Sequence, residues 1–319
     1  MNILISGGAG FIGSHLAAAL LRDPNVSSII VYDNVSSGSR RHLAAAGNDP
    51  RLVLVEGDLK DLPRLSNAMK DVDLVFHLAA NPDIAKAVTK PDIDFWEGTY
   101  LAQNVLEAMR TNNVRKILYT SGSGVYGDAP GIAFAENYGP CVPISTYGAS
   151  KLACEALIAA YCHMFGMRSR AFRFANVVGP RQTHGVGYDF IRSLRVNPTR
   201  LRILGDGTQC KSYIHVEDVV AAMLMILGAS DTGPAFDVFN VATDDYITVT
   251  EIADIACAVC GLDPTRVQYA YSGGDRGWKG DVPKVLFDVS KIKARGWKVA
   301  RSSRQAMEAS LKAMLNELS

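Results

Sequence analysis

Two side chains could carry chemistry. Tyr147 and Lys151, in Tyr147-Gly148-Ala149-Ser150-Lys151, stand four residues apart, so a helix running on through Tyr161 sets a phenol and an ammonium on one face. A neighbouring cation favours the phenolate, which makes such a tyrosine a general base near neutral pH. Alone, the spacing is a common accident. It gains a purpose only if the chain ahead of it builds a place for a substrate and for an electron acceptor.

The N-terminal stretch builds the second of these. Ile3 to Ile5 is an apolar run short enough for a buried strand. Gly7, Gly10, Phe11, Ile12 and Gly13 follow, and His15 to Leu21 has the apolar spacing of a helix. Strand, glycine turn and helix suit a dinucleotide: small residues admit the pyrophosphate, and the helix N-terminus offers unpaired N–H groups and partial positive charge. A second apolar strand, Ile29 to Asp33, ends in an acid twenty residues beyond Gly13, the place of a ribose ligand. The polar loop Asn34-Val35-Ser36-Ser37-Gly38 could hold the adenosine ribose. Arg40 and Arg41 could meet a 2′-phosphate, but the Asp33 carboxylate repels one and accepts from two hydroxyls, so NAD is favoured over NADP.

Strands and helices then alternate. Arg51 to Val55 is a third strand with Asp58 and Leu59 beyond its end, where an adenine amino group could be met; Asp58 also reads as a helix N-cap. Asp73 to Ala80 is a fourth strand running into Leu78, Ala79 and Ala80, whose small side chains leave room for a cofactor. His77 within it reads as a core histidine, and His215 as structural. Leu101 to Met109 is a long helix, and Val114 to Tyr119 a fifth strand ending in Thr120-Ser121-Gly122-Ser123-Gly124-Val125-Tyr126-Gly127. Arg173 to Val178 is a further strand. A loop-rich stretch follows from Gly179-Pro180 through Gly207, then a helix from Glu217 to Leu227 and a last sheet strand, Asp237 to Val241. Val249 to Val259 is an amphipathic helix, Pro264 to Trp278 a glycine- and aromatic-rich flap, and a helix closes the chain from Ser302.

Composition bounds the class. The 319 residues, 48% hydrophobic and 20% charged, suit a large α/β unit with a smaller lobe. A net charge of +1 gives no electrostatic case for nucleic acid. The longest apolar runs, such as Val219 to Leu227, are too short for a bilayer, and the chain enters a strand with no basic leader. The six cysteines are scattered, and Cys257-x-x-Cys260 falls in a helical apolar pattern, read as packing and only faintly as redox or metal. A reducing cytoplasm and no metal are expected.

The motifs together resemble the extended short-chain dehydrogenase/reductase family, and within it the UDP-glucose (UDP-galactose) 4-epimerases. The matching pieces are GGAGFIG at Gly7 to Gly13, DNVSSG at Asp33 to Gly38, GDL at Gly57 to Leu59, HLAA at His77 to Ala80, VYG at Val125 to Gly127 and YGASK at Tyr147 to Lys151. RFANVVGPRQ at Arg173 to Gln182, GDGTQCKSYIHVEDV at Gly205 to Val219 and GWKGDVP in the region from Gly277 complete the set, in order over nearly the whole chain. The resemblance implies a Rossmann-type doubly wound parallel sheet with a smaller C-terminal α/β substrate lobe. The NAD-binding domain would take residues 1–175 plus 216–243, and the nucleotide-sugar lobe 176–215 plus 244–319.

It also implies roles. Tyr147 would take the proton of a sugar 4-hydroxyl while C4 gives hydride to NAD, Lys151 would hold the nicotinamide ribose and favour the phenolate, and the 4-keto sugar would turn over and be reduced on its other face. Ser121 and Phe174 would join the cofactor set. Asn176 and Arg276 would meet the diphosphate, Arg202, Leu204, Lys211 and Tyr213 the nucleotide, and Val186 and Gly187 the sugar end. Relatives often carry arginine where Lys211 stands, so that contact becomes a point charge in place of a fork. A homodimer built on the helix near Leu101 to Met109 and the helix after Lys151 is implied as well.

Two positions depart from the pattern. The serine or threonine that polarises the reacting oxygen is Gly122 here, and an asparagine near the cofactor is Gly98. Ser121 or Ser123 could take over from the missing hydroxyl, as could a bound water; Ser123 is preferred because its flanking glycines permit unusual dihedrals. Related 4,6-dehydratases and decarboxylases place acids just after that position, where this chain has Ser123 and Gly124, so elimination chemistry lacks its base. Three readings follow: a UDP-hexose 4-epimerase; another NAD-dependent nucleotide-sugar enzyme, acting on a uronic acid or N-acetylhexosamine or working as a 4-ketoreductase; or a sugar-nucleotide-binding protein with weak turnover.

Overall fold

A computed structural model describes residues 1–229 and 232–318. Seven strands form the central sheet: β1 (Asn2–Ser6), β2 (Ser28–Asp33), β3 (Leu52–Glu56), β4 (Leu74–His77), β5 (Lys116–Gly122), β6 (Arg168–Phe174) and β7 (Phe236–Val241). Their order is β7-β6-β5-β4-β1-β2-β3, and the pairs from β3 through to β5 are parallel. The order reverses between β1 and β4, the switch point of a doubly wound sheet and the place where its ligands bind. Ile3, Leu4 and Ile5 are fully buried, which is why the sequence reads as an unbroken apolar run there instead of alternating.

The chain divides into two compact units: Met1–Val125 with Thr146–Arg173 and Met223–Phe239, and Tyr126–Ser145 with Phe174–Ala222 and Asn240–Ser319. In the first, helix α1 (Phe11–Leu20) follows the glycine turn, α2 is Tyr100–Thr111, and α3 is Thr146–Phe165. Leu4, Val75, Val105, Leu106, Ile117 and Ile158 anchor its core. In the second, α4 (Val186–Val196), α5 (Val249–Val259) and α6 (Ser303–Glu317) enclose a core of Ile191, Leu201, Ile252, Met307 and Leu311. Reciprocal capping boxes, Thr248 with Glu251 and Ser302 with Gln305, start α5 and α6.

Several details differ from the sequence expectation. The segment 126–145 packs with the second unit, where Ala133–Phe134 pairs with Leu286–Phe287. The strand expected over Arg173 to Val178 is two: β6 ends at Phe174, and Asn176–Val178 pairs with Tyr213–His215. The loop-rich stretch before Gly207 contains α4 and a strand, Arg200–Ile203. That strand pairs with Gln268–Tyr271, so four residues of the expected flap are sheet. The helix after β3 is capped by Asp61, whose side chain accepts from the Arg64 N–H, while Asp58 instead accepts from the Lys60 N–H.

Candidate functional site

Glycine is required where the first unit would receive a dinucleotide. A Cβ on Gly7, whose φ is +73°, would lie 2.7 Å from the Ala79 nitrogen, and one on Gly13 would lie 2.5 Å from the Gly7 carbonyl oxygen. Gly10 begins α1 without a side-chain cap, which leaves first-turn N–H groups for an anion. Asp33 is buried and braces the turn, its two oxygens accepting from the Ala9 N–H at 2.9 Å and the Val35 N–H at 2.8 Å. Each oxygen retains a lone pair for a ribose hydroxyl. Val35 sits at φ 55°, a costly conformation for a β-branched residue, so the Asp33–Gly38 loop is held under strain. Ser36 is tied to the Asn34 side chain at 2.7 Å, and Gly38 lies so close to Ala9 that a Cβ would meet its backbone at 2.7 Å. Arg40 pairs with Glu56 on the surface. Leu59 is buried, its carbonyl accepting from Asn104. Leu78 follows β4, its N–H donating to the Ser6 carbonyl.

Tyr147 and Lys151 lie one turn apart on α3 and line one pocket with His77, Ala79, Ala80, Asn81, Asp94, Gly98, Tyr119 and Ser150. The Lys151 ammonium is buried and donates to the Thr120 carbonyl at 2.7 Å. It also sits 5.1 Å from the Tyr119 ring centre and 5.6 Å from that of Tyr147. Among the described residues no carboxylate pairs with it, so two of its three N–H donors remain for ribose hydroxyls. The glycine cradle, the open helix end, Asp33 and Lys151 together fit NAD.

His77 is buried, stacked on Tyr119, with Nδ1 2.7 Å from the Ser6 hydroxyl. Burial, with the Lys151 cation as the lesser cause, holds its imidazole down to about 3. The folded protein refuses a proton that the unfolded chain accepts near the ordinary 6.5, so His77 removes stability as pH falls from about 6.5 to about 3. His77→Phe should flatten the acid limb of the urea midpoint plotted against pH. An unchanged slope would show that His77 is not the group responsible.

The Ser121–Gly124 segment places the two candidate hydroxyls in different surroundings. Ser121 is buried and donates to Glu155 at 2.5 Å, so its proton is already committed. Glu155 and Arg173, also buried, form a two-pronged pair at 3.0 and 2.7 Å. Ser123 has no hydrogen-bond partner among the described residues and sits in a short turn, Ser123–Val125. A Cβ on Gly122 would meet nothing within 4 Å, while one on Gly124 would press on the Gly148 Cα at 3.3 Å.

Apart from Ser123, the expected substrate residues belong to the second unit. Asn176 is exposed and held through the Ser212 carbonyl. Arg202 and Leu204 are exposed, whereas Tyr213 is buried and burial pushes its phenol up. Lys211 pairs with Asp281, and Arg276 donates to Asp128 at 2.6 Å and to the Asp281 carbonyl at 2.7 Å. Gly187 is a packing residue: its Cβ would lie 2.8 Å from Leu311 of α6. Val186 opens α4 beside it, and Phe174 is buried where β6 ends. Glu155 and Asp94 escaped the sequence reading. Glu155 had one signal, its place one turn beyond Lys151; Asp94 had none.

Residues 3–242 match the model of the NAD dependent epimerase/dehydratase family. The chain belongs to that family. A UDP-glucose 4-epimerase of Mycolicibacterium smegmatis is 34% identical over 245 residues, 75% of this chain and 77% of that one. A solved UDP-galactose 4-epimerase is 39% identical, covers both chains fully and superposes with a TM-score of 0.88. MoeE5, solved with UDP-glucuronic acid and NAD, is 28% identical, with 99% and 100% coverage and a TM-score of 0.86. This epimerase/dehydratase family member therefore uses NAD. No helix among its described residues is long and apolar enough to cross a membrane.

Proposed function

We propose that the chain epimerises a UDP-hexose, UDP-glucose/UDP-galactose or a close relative, at C4 through a 4-keto sugar. The observation that carries this reading is a tyrosine–lysine pair in one pocket of the NAD-binding unit, with no carboxylate in the Ser121–Gly124 segment. Neither Ser123 nor Gly124 carries an acid for elimination at C5 and C6, and a Cβ at position 124 would press on the Gly148 Cα at 3.3 Å.

Tyr147 takes the 4-hydroxyl proton and returns it, and the Lys151 cation, fixed by the Thr120 carbonyl, stabilises the phenolate between those events. Bound NAD supplies hydride acceptance and return at C4 with no net consumption. Ser123 donates to the reacting oxygen in place of the absent residue-122 hydroxyl. Asn176 and Arg276 meet the diphosphate, for which Arg276 exchanges its carboxylate partner, Asp128, and Lys211 meets the nucleotide. Arg202, Leu204 and Tyr213 take the nucleotide. The enzyme works in the cytoplasm as a homodimer joined through α2 and α3.

Protein purified without added cofactor, mixed with UDP-glucose, UDP-galactose, their N-acetyl forms or UDP-glucuronate, tests this by proton NMR of the anomeric region. Appearance of one C4 epimer supports the reading and names the sugar. Consumption of added reduced nicotinamide would instead support a ketoreductase. Ser123→Ala should lower kcat roughly 10²-fold, as loss of one oxyanion donor does. Gly122→Ser in that background should recover much of it, because the new side chain enters open space. Full activity in Ser123→Ala would remove Ser123 from the mechanism.

A further inference from the structure

We propose that Asp94 is the positioning residue for Tyr147, a buried carboxylate that braces the first turn of α3 on both sides of the phenol. This rests on the reading of Tyr147 as the proton acceptor. Asp94 is 2% exposed and immediately precedes the π-turn Phe95–Thr99 that leads into α2. Its Oδ2 accepts from the Thr146 hydroxyl at 2.7 Å, and its Oδ1 from the Asn81 amide at 2.8 Å. Its backbone carbonyl accepts from the Ser150 hydroxyl at 2.7 Å, and Ser150 also lies 2.9 Å from the Thr99 hydroxyl. Thr146 and Ser150 stand one residue before and three after Tyr147, so the brace grips the turn that carries the phenol. Asn81 is in turn fixed by its own bonds with Asp83, which anchors the brace just beyond β4.

The chemistry is unusual for a purely structural tie. Among the described residues no lysine, arginine or histidine pairs with Asp94, so neutral donors and the partial positive charge at the start of α3 offset its burial. A serine cap would start a helix at lower cost. Asp94, Ser150, Tyr147 and Lys151 line the same pocket, so the brace sits where the phenol's placement matters. Gly98 belongs to the same device. A Cβ there would lie 2.4 Å from the Ser150 hydroxyl oxygen, so the missing side chain is what lets Ser150 reach Asp94 and Thr99.

Three variants test it. Asp94→Ala and Thr146→Val should each lower kcat about tenfold or more, since sub-ångström misplacement of a reacting group is costly. KM for the UDP-sugar and bound NAD should stay within about twofold of the unmodified enzyme. Asp94→Asn should stay within about threefold, because its oxygen still accepts from Asn81 and its amide donates to the Thr146 hydroxyl, which turns to accept. Thr146 is exposed, so its variant reports even if Asp94→Ala fails to fold. Amide exchange over 146–151 should speed up in the first two variants and not in Asp94→Asn. Unchanged exchange and kcat in Asp94→Ala and Thr146→Val would overturn the proposal. So would a kcat loss that comes with equal loss of NAD and no recovery in Asp94→Asn. If no UDP-sugar turns over, the epimerase reading falls, and the exchange rates still decide the brace.

Discussion

Tyr147→Phe is expected to lower kcat by about 10²–10⁴-fold, the range for losing a positioned general base. The ring stays, so its contact with the Lys151 ammonium, 5.6 Å from its centre, survives and only the proton-carrying oxygen goes. Nucleotide binding should be unaffected, because the expected diphosphate and nucleotide residues lie in the second unit. Isothermal titration with UDP alongside the rate separates the two effects. A variant that retains kcat within a factor of ten would take Tyr147 out of the chemistry.

The second large effect is on stability. Glu155→Ala strips two hydrogen bonds from the buried Arg173 guanidinium and one from the Ser121 hydroxyl. Breaking one side of a buried pair costs about 3–5 kcal/mol, because the surviving charge stays desolvated. Removing both charges, as in Glu155→Met with Arg173→Met, should restore most of the urea midpoint, since an apolar pair of similar volume avoids that penalty. Equal destabilisation in the single and double variants would show that the pair itself, and not the stranded cation, was the source of stability.

What was legible in the sequence was what repeats a local rule. Ile3 to Ile5 read as a strand because burial on both faces leaves no polar position, and the glycines at 7 and 13 read as a turn because no side chain fits there. Val249 to Val259 read as a helix from its amphipathic spacing, and the structure adds the capping boxes, Thr248 with Glu251 and Ser302 with Gln305, that start α5 and α6. The stretch from 186 to 203 was missed because Gly179, Pro180 and Gly185 mark turns, while the apolar face of α4, Val186, Tyr188, Phe190, Ile191 and Leu194, spans only some nine residues of chain. Asp94 and Glu155 look like solvated charges in one dimension. Their partners lie far along the chain, Thr146 at 52 residues and Arg173 at 18, and only the fold brings them together. The open space at Gly122 and the commitment of Ser121 to Glu155 are likewise properties of packing, which residue type does not carry.

The central claim is that hydride leaves C4 and returns to the same carbon within one turnover. A UDP-hexose carrying deuterium at C4, incubated with the protein in ordinary water without added cofactor, tests it most directly. The C4 epimer should appear with deuterium retained at C4 and no hydrogen incorporated from water. Loss of the label to solvent, or a product altered at C5 or C6, would contradict it.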